Sequence, residues 1–168
     1  MQSINLSHTQ PTTPGDSGVT LPEMLIAVLI LGIISIVALP GYLNTIKSAR
    51  QKDVASQLSQ IQTAIQGYRE EFLSNPTGWT ELARITPIAT NNGSASGTSF
   101  SSITSSNGGH YTISVQTQDQ ETIAMTAEAK GQEPTSRWDI KSCLNTKKGL
   151  SDIKLGGSEA GAETPNCS

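Results

Sequence analysis

The sequence predicts an α+β protein in which one long N-terminal α-helix packs on a small antiparallel sheet of three to four strands. Three observations lead to this prediction: an uncharged apolar run, an amphipathic helical continuation of that run, and several later segments with alternating apolar residues. The first half of the helix is apolar on every side, which suits a membrane-spanning segment. The second half has a single apolar stripe, which can cover one face of a sheet.

Composition restricts the classes of function. The chain has 168 residues, a formal net charge of −3 and an aromatic content of 4%. This length fits one domain with an appended element. Nucleic acid is the less favoured partner, because a phosphate-binding face normally leaves an excess of Lys and Arg. The low aromatic content predicts a modest core built from Ile, Leu, Val and Ala.

The N-terminal segment 1–18 is polar, rich in Ser, Thr and Pro, and has no apolar periodicity. It is predicted to be a leader or an unpacked tail. From Met24 to Ile46 no residue is charged, and a helix of that length reaches about 34 Å, enough to cross a bilayer core. The segment 19–46 is therefore predicted to be a transmembrane helix. A cleaved secretory signal is less favoured, because the run is long and only a weak cleavage site follows it.

The helical pattern continues beyond the apolar run. Apolar residues recur at spacings of four and three on one helical face, while Gln, Ser, Lys, Asp and Glu occupy the other. These apolar residues are Val54, Leu58, Ile61, Ile65, Tyr68 and Phe72. One helix is therefore predicted from about Pro22 to Ser74, with the segment 47–74 as its amphipathic part.

The start of this helix has suitable residues for its position. Thr20 is the candidate N-cap, and Pro22 and Glu23 favour a first turn, where proline loses no backbone bond and a carboxylate meets the positive end of the dipole. Gly32 and Pro40 are less suited to a straight helix. A kink or a locally unwound stretch is therefore predicted between these two residues, and the alternative is that a membrane helix tolerates both.

The remaining chain predicts a loop region over 75–109 and an antiparallel sheet over 110–155. The loop region opens with the turn signal NPTGW and contains a short helix in TELARI. GHYTISVQTQ and ETIAMTAEAK are predicted strands joined by a turn at Asp119 and Gln120, and SRWDIKSCL is a third candidate. The apolar face of the first strand consists of Tyr111, Ile113 and Val115. The amphipathic helix is the expected cover of this sheet.

Both cysteines, Cys143 and Cys167, lie near the C-terminal end of the sequence. No CxxC motif or Cys/His cluster accompanies them, so no metal site is predicted. A disulfide closing the segment 143–167 in an oxidising compartment is favoured over two free thiols. A covalent tie would also order a Gly-rich tail that is otherwise loose.

A glycine, an acid five residues later and an apolar run extending to a proline form a distinctive combination in GVTLPE and MLIAVLILGIISIVALPGY. Over Gly18 to Arg50 the sequence resembles the type IV pilin and pseudopilin superfamily. The resemblance implies that a prepilin peptidase cuts after Gly18, that the new N-terminus at Val19 is methylated, and that Glu23 pairs with the ammonium group of a neighbouring subunit. The alternative for Glu23 is stabilisation by the helix dipole and water alone.

The resemblance also implies an overall layout and function. The leader is 1–18, the transmembrane and assembly helix is 19–46, and a globular head with a pilin-like fold is 47–168. The expected function is a structural subunit of a type IV pilus or related filament; a minor pilin, a type II secretion pseudopilin, or an adhesive or DNA-capturing tip pilin are the alternatives. The expected partners are the prepilin peptidase/N-methyltransferase, other pilin subunits, the inner-membrane assembly machinery and inner-membrane lipid, without a cofactor.

Membrane orientation rests on two opposed signals. The leader has no Lys or Arg and carries Asp16, and the basic residues Lys47, Arg50 and Lys52 lie beyond the apolar run. By the positive-inside rule this pattern favours a cytoplasmic C-terminal part. The resemblance implies the reverse, a single-pass inner-membrane precursor with a cytoplasmic leader, which later joins a cell-surface or periplasmic filament. The cysteine pair agrees with the second orientation, which is the prediction here.

Two weaker functional signals concern the head. A cluster of basic residues could contact phosphate, but acidic residues are interspersed and a solvated face is favoured; the cluster consists of Lys141, Lys147, Lys148 and Lys154. The two histidines, His8 and His110, accompany no GxSxG or HExxH motif. No catalytic residue is predicted, and the chain is not expected to be an enzyme.

Overall fold

The computed structural model describes residues 18–131 and 137–168, and for residues 37–40 it describes no side chains. The chain has two compact units, Met1–Pro40 and Gly41–Ser168. Helical backbone extends over Leu21–Phe72, named α1, which includes residues of both units. These bounds agree closely with the helix predicted from Pro22 to Ser74.

Beyond α1, the described residues of the head form one short helix and two antiparallel sheets. Helix α2 is Trp79–Leu82, within the segment predicted to hold a short helix. The smaller sheet pairs β1 (Ala89–Thr90) with β2 (Gly93–Ser94). The larger sheet has the order β3-β4-β5-β6-β7. Its strands are β3 (Ile103–Thr104), β4 (Tyr111–Thr117), β5 (Thr122–Ala129), β6 (Ile140–Asn145) and β7 (Leu150–Leu155).

The predicted α+β class with a long helix and an antiparallel sheet is confirmed, but the expected three to four strands were too few. The larger sheet has five, and the strands without an individual prediction, β3 and β7, lie at its edges. Strand β7 has no fully buried residue, and of its side chains only Ile153 packs against the core. A strand without a buried face lacks the apolar alternation by which strands are recognised.

The apolar stripe of α1 forms one wall of the core. Val54, Leu58, Ile61, Ile65 and Tyr68 are all at most 5% exposed, as predicted. The prediction for Phe72 was wrong, since its side chain is 42% exposed. Phe72 lies in the last turn of the helix, where its ring contacts Tyr68 at 4.5 Å between centroids instead of the sheet.

The opposite wall of the core comes from the larger sheet. Alternate residues of β4, β5 and β6 point inward, namely Tyr111, Ile113, Val115, Ile123, Met125, Ala127, Ile140 and Leu144. Trp79 of α2 closes one side and is 1% exposed, and its indole Nε1 donates to the Ser101 carbonyl at 2.8 Å. Burial of such apolar surface is the main force that holds the helix on the sheet.

The head has two distinct ends along the axis of α1. At the first, named the near end, Gln51 of α1 lies beside Trp138 and Gly156. At the other, named the far end, the Arg69 guanidinium donates to the Thr146 hydroxyl at 3.2 Å. Residues 44–52 of α1 therefore belong to the near end, while the β4–β5 and β6–β7 turns belong to the far end.

Candidate functional site

The predicted processing site lies at the start of α1. Gly18 and Val19 precede the helix and are exposed, Val19 by 62%. A Cβ atom added at Gly18 would meet nothing within 4 Å. The folded chain therefore does not itself require a glycine at this position. An enzyme can reach the peptide bond between the two residues, and a demand for glycine would have to come from that enzyme.

Glu23 lies at the third helical position, where a carboxylate can reach back to the N-cap. Its Oε2 accepts from the backbone N–H and the hydroxyl of Thr20, both at 3.5 Å. The first regular helical bond, from Met24 N–H to the Thr20 carbonyl, is 3.2 Å. Thr20 is thus the N-cap, as predicted. The two contacts of Glu23 are long and weak, so the exposed carboxylate can still accept a stronger donor.

The N-terminal unit exposes an apolar surface on every side. All described side chains from Val19 to Ile36 are exposed, and Ile36 reaches 76%. Ser35, a hydroxyl residue within this surface, donates to the Leu31 carbonyl at 2.7 Å. Such a bond inside the helix lowers the cost of moving a hydroxyl out of water. The surface is therefore suited to an apolar environment.

In the described part of the chain, no single helix is both long enough and apolar enough to cross a membrane; Leu21–Ile36 and Gly41–Phe72 together have a sufficient length and composition. The kink predicted at Gly32 and Pro40 stays a prediction. A Cβ at Gly32 would have open space around it. The side chain of Pro40 lies outside the described residues.

The predicted disulfide is present. Cys143 of β6 is joined to Cys167, with 6.0 Å between the Cα atoms. Within the closed segment, the Asp152 carboxylate accepts the N–H of Asn166 at 2.9 Å. This backbone bond, aided by the Lys154 ammonium, lowers the pKa of Asp152. The tail also returns to the near end, where the Asp139 carboxylate accepts the N–H of Ala162 at 2.7 Å.

Three glutamines of α1, which the sequence predicts to lie on the polar side of the helix, are buried. The Nε2 group of each donates to the main chain of a different part of the head: Gln51 to Gly156 at 2.9 Å, Gln57 to Ala89 at 2.7 Å and Gln62 to Cys143 at 3.0 Å. These bonds give each buried amide a hydrogen-bond acceptor and join α1 to three separate segments of the head. A glutamine at the edge of the apolar stripe of a helix is the sequence feature that these three residues share. In a single sequence this feature does not distinguish buried glutamines from exposed ones.

The predicted basic cluster is mixed in charge. Lys147 pairs with Glu121 at 2.8 Å, and Lys154 pairs with Asp152 at 3.5 Å. Lys141 lies 3.9 Å from Asp139. Three of the four lysines thus have a carboxylate neighbour, which reduces the positive potential expected of a phosphate-binding face. Among the described residues, no three His, Cys, Asp or Glu side chains are grouped as metal ligands.

Comparison with known proteins bears on the N-terminal segment. Comparisons with curated proteins and with solved structures gave no match. Residues 14–39 match the family model described as the prokaryotic N-terminal methylation motif. This match includes Gly18, Val19 and Glu23, whose geometry is described above. The chain therefore carries the class of signal sequence found on precursors of type IV pilins and pseudopilins.

Proposed function

We propose that this protein is the precursor of a filament subunit, cleaved after Gly18 and methylated at Val19, and that it acts as a structural component of a type IV pilus or related filament. The observation that carries the proposal is the exposed apolar helix that lies within the methylation motif at residues 14–39. An apolar surface of this extent needs a cover of lipid or protein. The chain is in this proposal a substrate of the processing enzyme and not itself a catalyst.

The assembly step gives Glu23 its partner. Cleavage after Gly18 creates an ammonium group on Val19, and a staggered neighbour can bring this group to the Glu23 carboxylate. The long contacts of Glu23 to Thr20, both 3.5 Å, leave the carboxylate able to rearrange. Within an apolar helix bundle either charge alone is costly, while the close pair is compensated. The pair would thus select a single axial stagger between helices.

Before assembly the apolar helix lies in the inner membrane in this proposal. The disulfide supports a head on the oxidising side, with the leader in the cytoplasm. Prepilin peptidase, neighbouring pilin subunits and the membrane assembly machinery are the partners that this arrangement requires. A minor pilin or a type II secretion pseudopilin would use the same helix and motif. Copy number separates these roles, because a main subunit must greatly outnumber a tip subunit.

Intact mass and N-terminal sequencing of the protein extracted from its own host test the proposal. We expect a chain that begins at Val19, carries one additional methyl group and lacks two thiol protons. A chain that begins at Met1 would contradict processing. A chain cut beyond Pro40 would instead indicate an ordinary secreted domain.

Replacing Glu23 with Gln tests the assembly pair separately from cleavage. The amide keeps the shape and the contact to the N-cap but removes the charge, so we expect normal cleavage and a reduction in filament yield of about tenfold or more, equivalent to the roughly 1.4 kcal/mol that corresponds to a tenfold change. The sheared filament fraction and the cell-bound fraction are compared by immunoblot. The matched control is Glu70→Gln, which makes the same change at an exposed position of the same helix. Unchanged filament yield would contradict the pair.

A further inference from the structure

Trp138 is fixed at the near end of the head by its own main chain. The Trp138 carbonyl accepts from the Gln51 side chain at 3.3 Å and from the Tyr111 hydroxyl at 3.0 Å. Burial raises the pKa of Tyr111 to about 12, so the hydroxyl remains a donor. Gln51 also donates to the next carbonyl, that of Asp139, at 3.2 Å. Trp138 thus has a defined position beside α1.

The Trp138 side chain lines a shallow groove against α1. The groove has a volume of about 460 Å³, and its other walls are Asn44, Thr45, Ser48, Ala49 and Lys52. Trp138 is only partly buried, and Tyr42, one turn before the groove, is 64% exposed. In sequence, the groove residues lie where the uncharged run of α1 ends and the first charges begin. The groove therefore lies at the position where the chain would leave a bilayer.

The charges around the groove favour a negatively charged partner. Lys47, Arg50 and Lys52 follow one another on α1, and no acidic residue occurs between Glu23 and Asp53. Arg50 and Lys52 are exposed. Two acidic residues of the described part adjoin groove residues in sequence, and each accepts a hydrogen bond from another segment: Asp53 from Asn107 at 2.7 Å and Asp139 from the N–H of Ala162 at 2.7 Å.

We propose that Trp138, Tyr42 and the Arg50–Lys52 pair form a contact surface for anionic phospholipid headgroups on the unassembled precursor. Indole and phenol rings favour the headgroup layer, because each has an apolar body and a polar edge. Lys and Arg extend apolar stems along the same layer and place their charges at the phosphates. The proposal rests on the membrane-anchored precursor proposed above. It also supplies a reason for basic residues on the non-cytoplasmic side of the helix.

Tryptophan fluorescence of the full chain in vesicles tests this surface. The chain has two tryptophans, and Trp79 is 1% exposed in the core, which makes it an internal reference. The vesicles contain phosphatidylglycerol and phosphatidylcholine, with a fraction of the lipid brominated near the headgroup end of the acyl chain. We expect strong quenching of the Trp138 emission, obtained as the difference between the wild type and Trp138→Phe, and no quenching of the Trp79 emission that remains in the variant.

Charge reversal identifies the lipid chemistry. Arg50→Glu combined with Lys52→Glu is expected to lower the quenching of Trp138 in phosphatidylglycerol vesicles to the level in pure phosphatidylcholine. Lys147→Glu combined with Lys148→Glu makes the same change in charge at the far end and is expected to have no effect. Flotation of the vesicles reports membrane anchoring independently of fluorescence.

The outcomes separate the two proposals. A chain that floats with the vesicles but shows no quenching of Trp138 overturns the headgroup contact and leaves membrane anchoring intact. A chain that does not float overturns both. Quenching that appears only when the chain is diluted in excess lipid would assign the groove to a second copy of the protein, and equal quenching in both lipids would overturn the anionic preference.

Discussion

Gly18→Val is expected to leave the chain uncleaved, with a cleavage rate lower by two orders of magnitude or more. Nothing lies within 4 Å of a Cβ at Gly18, so the substitution does not disturb the fold. The loss arises in the peptidase, where a side chain displaces the scissile bond, and a displacement of about 1 Å can cost on the order of 100-fold in rate. Intact mass of the membrane fraction measures the fraction that still begins at Met1.

Gly32→Val is the matched control for this experiment. It places the same side chain at another glycine of the N-terminal unit, again with nothing within 4 Å of its Cβ, but away from the cleavage site. We expect normal cleavage of this variant. Cleavage of Gly18→Val at the wild-type rate would mean that Gly18 does not define the processing site, and the methylation site would then have to be sought elsewhere in the segment 14–39.

Replacing Cys143 and Cys167 with serine is expected to lower the free energy of unfolding by about 3 kcal/mol. The bond closes a loop with a sequence separation of 24, and the chain-entropy relation gives a stabilisation of about this size for such a loop. Both cysteines are at most 6% exposed, so the serines also leave polar groups in a buried place. Urea unfolding of the full chain in detergent, followed by tryptophan fluorescence, to which buried Trp79 contributes, provides the measurement.

Two comparisons make this result specific to the bond. Reduction of the wild type should cause a similar loss, and the double serine variant should not respond to reductant. Ser158→Ala, at an exposed position of the same tail, should leave stability unchanged within about 0.5 kcal/mol. Equal free energies of unfolding for the oxidised wild type and the double variant would contradict the prediction. They would indicate that the tail detaches from the head before the core unfolds.

The sequence was sufficient for the helix and the central strands because their burial repeats with a regular period. The three- and four-residue spacing from Val54 to Tyr68 and the alternation from Tyr111 to Val115 both appear as buried faces in the structure. Phe72 continues the same spacing, yet it is exposed because the helix ends there. Periodicity identifies a face but does not show how far the facing sheet extends.

The processing motif was also readable from sequence, because its residues are contiguous and act outside the packed core. The long-range hydrogen bonds of the head could not be predicted from the sequence. Gln51 lies 105 residues from its partner Gly156, and Trp138 is held by groups from two other elements. Contacts between distant segments depend on the completed tertiary structure, so neither the role of the glutamines nor the position of Trp138 follows from local pattern.

The order of strands in the larger sheet has a consequence for how the head forms. Each strand pairs with the one made just before it, so every pairing closes only a short loop, and the sheet can grow in the order of synthesis. The amphipathic half of α1 is made earlier and can serve as a template for each new strand. Cys167 follows all the strands, so the disulfide joins the tail only after β7 has been made. The disulfide therefore forms only in chains whose head is complete. A thiol-reactive label would react with unfinished chains, which still have free thiols, and not with finished ones.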